Sequence, residues 1–359
     1  MYRSSGVGDP SDRYLVVCIR DFHHGRYGYL LVSYFSQAGY HIYFHRSLSF
    51  LSRLHGYDRA VFQLPGVGIF NRRHFKAKKY IDFLGLNADA FIPSGVSFGK
   101  RFSIDLNYFN LDAPSDALRI PYHIHPLMQQ HPFKPKPGLK RHRILMYGQP
   151  DLEWAADLIR DHFNLLPRSE VFSSLSSGTF EWERPTDYAA LALFLAEPVD
   201  RPAACLIDSR TCWIPADRWL QVLSCFDFFI ATPGVSMPHA HNMIEAMSVG
   251  AIPVTQYGRH LHPPLQDRVD SVSFNDLEHL DGILYELMAM SPEDIDRLRS
   301  GVDEYFFEHI DPGHVVAAWQ QLPATELHLL FNAEEASLDF LRRRLQTASA
   351  DRNQHQKIA

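Results

Sequence analysis

The run Phe226-Asp-Phe-Phe-Ile-Ala231 is apolar at almost every position and does not alternate. A strand of that kind must be covered on both faces, which is the situation of strands in the parallel sheets of α/β proteins. The run leads into Thr232-Pro233-Gly234. A helix is expected from about Asn242, Gly250 stops it, and a second apolar strand follows from Ala251 to Thr255. Strand, loop, helix and strand make one β/α unit. Ligands of such sheets sit beyond the carboxyl ends of the strands. His239, His241 and Asn242 collect there, with Glu245 one turn further on. Free N–H groups and the positive end of a helix dipole suit a phosphate at that place.

A chain of 359 residues is long for one core and implies two domains. A formal charge of −6 gives no basic surface for a phosphate backbone, so nucleic acid is not an expected partner. Cys18, Cys205, Cys212 and Cys225 lack Cys-x-x-Cys spacing, which argues for reduced thiols rather than a zinc site or a disulfide scaffold. No apolar run approaches the length of a membrane span, and Met1 to Arg13 has no signal-peptide core. These features make a cytoplasmic protein the expectation.

Residues 1–12 read as a disordered N-terminus. Tyr14 to Ile19 is a buried strand, and Asp21-Phe-His-His-Gly-Arg-Tyr-Gly28 follows it. Leu30, Leu31, Tyr34 and Phe35 mark an amphipathic helix that Gly39 ends, and Tyr40 to His45 is the next strand. Arg59 to Leu64, Ala90 to Pro93 and Arg101 to Leu106 are read as further strands. Residues 126–142 form a Pro/Lys-rich linker. Beyond it, Ile144 to Gly148, Glu170 to Leu175, Ala203 to Asp208 and Val272 to Phe274 are expected as strands. Leu152 to Phe163 and Pro215 to Ser224 are expected as helices. Helices then follow at 277–290, 292–308, 312–321 and 333–346, the second opened by Ser291 and Pro292. The resulting domains are 13–125 and 143–325, with a helical, frayed tail at 326–359.

The pattern Asn242-x-x-Glu245-Ala-Met-x-x-Gly250-x-x-Pro253 resembles the nucleotide-sugar segment of GT-B glycosyltransferases, and less closely that of exostosin-like transferases. The resemblance is close over about thirty residues and elsewhere extends only to layout. It implies an α/β fold of two Rossmann-like domains facing across a cleft. The first would take the acceptor and the second a UDP- or GDP-sugar. Glu245 would accept hydrogen bonds from the donor ribose. The loop through Gly234, His239, His241 and Asn242 would hold the diphosphate, although Asn242 also suits an N-cap. Arg210, after the strand 203–208, would steady the leaving group with its fork of donors. Gly148 and Tyr257, each following a strand, would border the donor.

Asp21, His23 and His24 sit where inverting enzymes of this fold often carry the base. A His near neutrality or an Asp suits that task. Gly25 and Arg26 complete this acceptor-side loop. Many retaining members carry a second Glu, which would fall at Met237 here, so the resemblance favours inversion. No metal or other cofactor is implied, because cations and a helix end can carry the developing charge. The acceptor hydroxyl could belong to a glycan, a lipid-linked sugar, a protein or a small molecule. An epimerase or phosphorylase of the same architecture would carry a similar segment, and a degenerate scaffold subunit would explain the missing Glu. A dinucleotide-binding dehydrogenase is disfavoured, since no Gly-x-Gly-x-x-Gly follows either opening strand.

Overall fold

The computed structural model describes residues 13–18, 25–44, 56–69, 81–86, 99–110, 112–135, 141–150, 156–197, 199, 201–235 and 237–333. The chain divides into two compact units. One holds the described residues up to Pro121 and those from Asp311 onward, and the other runs from Tyr122 to Ile310.

The first unit is a parallel α/β sheet. Its strands are β1 (Tyr14–Cys18), β2 (His41–Phe44), β3 (Val67–Ile69), β4 (Ile81–Leu86), β5 (Arg101–Asp105), β6 (Leu118–Arg119) and a strand from the far end of the chain, Glu326–Leu330. That last strand lies between β5 and β6, and the order is β3-β2-β1-β4-β5-(326–330)-β6. Leu15 and Val17 of β1 are fully buried, as the unbroken apolar run requires. The helix Arg26–Gln37 turns Leu30, Leu31, Tyr34 and Phe35 inward. Gly39, at φ 88, ends it in the left-handed region where Gly carries no steric penalty. The helix Pro312–Gln321 packs on it, with the Trp319 ring 6.1 Å from Tyr34 and 6.5 Å from Phe35.

The second unit has a five-stranded parallel sheet. Its strands are β7 (His142–Gly148), β8 (Ala204–Asp208), β9 (Phe226–Ala231), β10 (Ile252–Thr255) and β11 (Val272–Ser273), in the order β11-β10-β9-β7-β8. All six residues of β9 are buried. The helices Leu277–Ala289 and Pro292–His309 follow, the second capped by Ser291 with Pro292 in its first turn. We label the strand Glu326–Leu330 β12.

Several expectations change. Residues 59–64 are not a strand: Gly56–Ala60 is a short helix and Val61–Gln63 a single 3-10 turn. Residues 170–175 lie in the helix Arg168–Ser177, where Val171, Phe172 and Leu175 turn inward at helical spacing. Within 126–142, Pro126–Gln129 is a short helix, and the second unit already begins at Tyr122. At the other end, residues 311–325 go with the first unit because they lead into β12, which pairs with β5. The expected strand 90–93 and the expected helix beyond residue 333 lie outside the described residues. Among the described residues no helix is long and apolar enough to cross a membrane.

Candidate functional site

Chain order reverses at β7 in the second sheet: β8 lies on one side of it and β9 on the other. The carboxyl ends of β7 and β9 lie side by side at this switch in strand order, the place where open α/β sheets take their ligands. Gly148 ends β7, Asp208 ends β8, Thr232 and Pro233 follow β9, and Gln256 and Tyr257 follow β10. Topology therefore brings Gly148, Arg210, Gly234 and Tyr257 to one edge of the sheet. The side chains there differ in what they are free to do.

Glu245 lies inside the helix His241–Met247 and is 3% exposed. Its Oε1 accepts the His125 backbone N–H at 3.0 Å, and its Oε2 accepts the Trp219 indole N–H at 2.7 Å. The expectation that it takes ribose hydroxyls does not fit this placement, since both oxygens face protein donors. It ties three chain segments together instead. Burial lifts its carboxyl to about 7, against the two donors that favour the charged form.

A stability prediction follows from that shift. Between its ordinary value and about 7, folded Glu245 holds a proton that the unfolded chain has released. Its contribution is therefore full below the ordinary carboxylate range and is lost as the pH rises through 7. The loss is about 3 kcal/mol at most, for a carboxyl carried from 4.5 to about 7. Glu245→Gln, which cannot titrate, removes this slope between about pH 5 and pH 8 in urea midpoints. His123, His239 and His260 are each pulled to about 4 by burial and weaken the fold in the opposite direction, as the pH falls. The difference between wild type and Glu245→Gln isolates the carboxyl. An unchanged slope in the variant contradicts the assignment.

His239 and His241 are not two loop histidines open to solvent. The Tyr122 ring stacks on both, 5.4 Å from His239 and 4.6 Å from His241. His239 is 4% exposed, and its Nε2–H donates to the His260 carbonyl at 2.9 Å. His241 starts the helix rather than preceding it, and its Nδ1–H donates to the His123 carbonyl at 2.6 Å. Carbonyl partners fix which ring nitrogen carries the proton. Nε2 of His241 lies 3.3 Å from the Tyr122 hydroxyl. One N–H of each ring is thus already spent on a backbone carbonyl. Asn242 is not the N-cap. Ala240 occupies that position without a side-chain bond, and the buried Oδ1 of Asn242 has no hydrogen-bond partner among the described residues.

Arg210 grips Asp208, its Nε 3.0 Å from both carboxylate oxygens and Nη2 2.5 Å from Oδ2. Its charge is largely answered within the chain. Tyr257 is 0% exposed rather than lining a loop surface, and burial raises its phenol well above the ordinary value. Gly234 has a steric reason to be glycine. A Cβ there would lie 2.6 Å from the His239 carbonyl oxygen, and the Gly234 N–H donates to Pro238 at 3.2 Å, closing the loop on itself.

The residue that sequence reasoning missed is Arg168. It stands at the first position of the helix Arg168–Ser177, whose N-terminus has no side-chain cap. Its side chain runs past Gly148, where a Cβ would lie 3.2 Å from Cδ. Its Nε donates to Thr232 Oγ1 at 3.0 Å and its Nη2 to the Pro233 carbonyl at 3.1 Å. Both partners are neutral, and no carboxylate pairs with it among the described residues. Burial lowers its pKa, and the nearest opposing influence is Tyr257. The Tyr257 hydroxyl is itself buried without a hydrogen-bond partner among the described residues. The signal that could have found Arg168 was the helical spacing of 171, 172 and 175, which turns 168 from a strand neighbour into a helix start.

In the first unit, Gly25 at φ 52 begins the helix Arg26–Gln37, and its N–H donates to Asp58 Oδ1 at 3.0 Å. Arg26 folds over Tyr27, its guanidinium 4.9 Å from the ring centroid. Asp21, His23 and His24 lie outside the described residues. Among the described residues no group of three or more His, Cys, Asp or Glu side chains is placed to hold a metal ion.

No family model matches the chain, and no curated protein matches it. Solved structures overlap with it at low similarity. The Anabaena protein HepE, in complex with UDP and glucose, is 10% identical over 86% of this chain and 98% of its own, with a TM-score of 0.42. A glycosyltransferase from Rickettsia africae is 8% identical over 85% of this chain and 96% of its own, also at 0.42. CalG4, the calicheamicin glycosyltransferase, is 10% identical over 86% and 98%, at 0.34. At such low TM-scores these likenesses carry no argument about the site.

Proposed function

We propose that the protein is a glycosyltransferase that moves a sugar from a nucleoside diphosphate sugar to an acceptor hydroxyl, with inversion and without a bound metal. The observation that carries the reading is Arg168. Its half-buried guanidinium, at the carboxyl ends of β7 and β9, donates to the Thr232 hydroxyl and the Pro233 carbonyl, and no carboxylate pairs with it among the described residues. A partly desolvated cation without a counter-charge is costly, and an anion brought by a ligand offsets that cost. The leaving-group role passes from Arg210 to Arg168. Trp213, 70% exposed in the segment after β8, offers a ring face on which a nucleobase can stack. The base is proposed among Asp21, His23 and His24, and a cytoplasmic setting accords with four free cysteines.

UDP, UMP, uridine and inorganic pyrophosphate, each with EDTA or with magnesium, test the donor site by thermal shift. UDP at a hundred times its Kd is expected to add about 2.7 kcal/mol of stability, equally with EDTA. Trp213→Ala is expected to weaken UDP by roughly tenfold and to leave pyrophosphate unchanged. No shift from any of the four at millimolar concentration sinks the proposal. Release of UDP from a UDP-sugar only when a hydroxyl acceptor is present would then establish transfer over epimerisation.

A further inference from the structure

Arg168 reaches its place through a short connection between the helices Ala156–Phe163 and Arg168–Ser177. Asn164, at φ 51, ends the first helix, and Pro167, at φ −61, starts the second. The connection is held from outside by the segment that follows β10. The Gln256 amide makes a reciprocal pair with one backbone residue: Oε1 accepts the Leu166 N–H at 2.7 Å, and Nε2 donates to the Leu166 carbonyl at 2.8 Å. Arg259 Nη2 donates to the Phe163 carbonyl at 2.8 Å and to the Asn164 carbonyl at 3.3 Å. The His260 ring meets Phe163 edge-on at 5.5 Å.

We infer that Gln256 is a positioning residue for Arg168: its paired hydrogen bonds to Leu166 set the root of the guanidinium that meets the diphosphate. The inference rests on reading Arg168 as the diphosphate cation. A planar amide bonded twice to one residue fixes the angle as well as the distance between two loops. A single bond would leave the Arg168 root free to pivot. With Leu166 fixed, only the rigid Pro167 separates the anchor from Arg168, whose head is then caught by Thr232 and Pro233. Gln256 thus acts on a ligand it need not touch, by delivering a long and otherwise mobile side chain already ordered. Ordering such a side chain before the ligand arrives removes an entropic cost from binding.

The test is a double-mutant cycle on the full chain, read by titration with UDP, pyrophosphate and uridine. Gln256→Leu keeps the size and removes both bonds. UDP and pyrophosphate affinity are expected to fall on the order of tenfold, with uridine unchanged. In an Arg168→Met background the same change is expected to cost nothing further, because the group it positions is gone. Gln256→Glu, which keeps the acceptor and loses the donor, is expected to retain part of the affinity. Should Gln256→Leu fail to fold, the exposed Arg259→Ala releases the same connection and is expected to show the same non-additivity. Equal losses with and without Arg168, or unchanged UDP affinity in folded Gln256→Leu, overturn the inference while leaving the donor site standing. Wild type that binds neither UDP nor pyrophosphate overturns the donor site itself.

Discussion

Arg168→Met is expected to remove most of the affinity for UDP while leaving the stability of the ligand-free protein within about 1 kcal/mol of wild type, or higher. Each half rests on a separate observation. The guanidinium offers a fork of donors at the carboxyl ends of β7 and β9, and its two bonds go to a hydroxyl and a backbone carbonyl. Losing a charge-assisted contact to a diphosphate in a partly desolvated place costs about 3 kcal/mol, roughly a hundredfold in Kd. Without ligand the balance reverses. Burial lowers the Arg168 pKa, which means that the site disfavours the charge it holds. Methionine fills similar space with no charge to desolvate, so urea midpoints should stay within about 1 kcal/mol of wild type or rise. The control is Arg210→Met. Because Arg210 already answers Asp208, its removal should change UDP affinity by less than roughly threefold. Isothermal titration and urea melts of the three proteins decide the matter. An Arg168→Met protein that loses affinity and stability together has lost its fold, not its anion site, and the assignment falls.

The sequence was most legible where burial alone dictates structure. The apolar runs at 14–19, 144–148, 203–208 and 226–231 were read as buried strands, and the structure has β1 (14–18), β7 (142–148), β8 (204–208) and β9 (226–231) there. The left-handed glycines at 39 and 250 and the Ser291-Pro292 cap likewise speak through local backbone chemistry. β12 was not legible. Its register is set by β5, more than two hundred residues earlier, and no local pattern announces a partner so distant. The carboxyl edge of the second sheet was legible as a place, since Gly148, Arg210, Gly234 and Tyr257 all follow strands. The roles of its side chains were not. Whether Glu245 faces a ligand or the Trp219 indole depends on how the helices 216–223 and 241–247 pack, and composition does not encode that choice. Reading 170–175 as a strand also hid Arg168, because the residue matters only as the first of a helix.

Asp227→Ala is expected to cost about 3–5 kcal/mol of stability and to leave nucleotide binding by the folded protein unchanged. Asp227 sits at the opposite end of β9 from the site, roughly 17 Å from Thr232 along the strand. Its Oδ2 accepts Arg143 Nη1 at 2.7 Å and its Oδ1 accepts Arg299 Nη2 at 2.6 Å. Those guanidiniums also bind backbone. Arg143 donates to Met290 at 3.1 Å and Arg299 to Gly250 at 3.0 Å, so this one carboxylate organises the amino edge of the sheet against the helices 277–289 and 292–309. Burial nonetheless holds the carboxyl above its ordinary value, outweighing Arg299, Arg143 and Arg141. The cluster is therefore no large net source of stability, although breaking it is expensive. Removing only the acid strands two mostly buried cations, whereas an all-apolar replacement of matched volume for Asp227, Arg143 and Arg299 should come out near neutral. Urea melts of the single and triple variants separate the two cases. A single variant that loses less than about 1 kcal/mol would mean that the cations reach solvent or Asp296 on their own. The arrangement would then stabilise nothing that solvent could not. The second sheet thus carries, at its amino edge, a buried carboxylate answered by two guanidiniums and, at its carboxyl edge, the Arg168 guanidinium that has no carboxylate partner among the described residues.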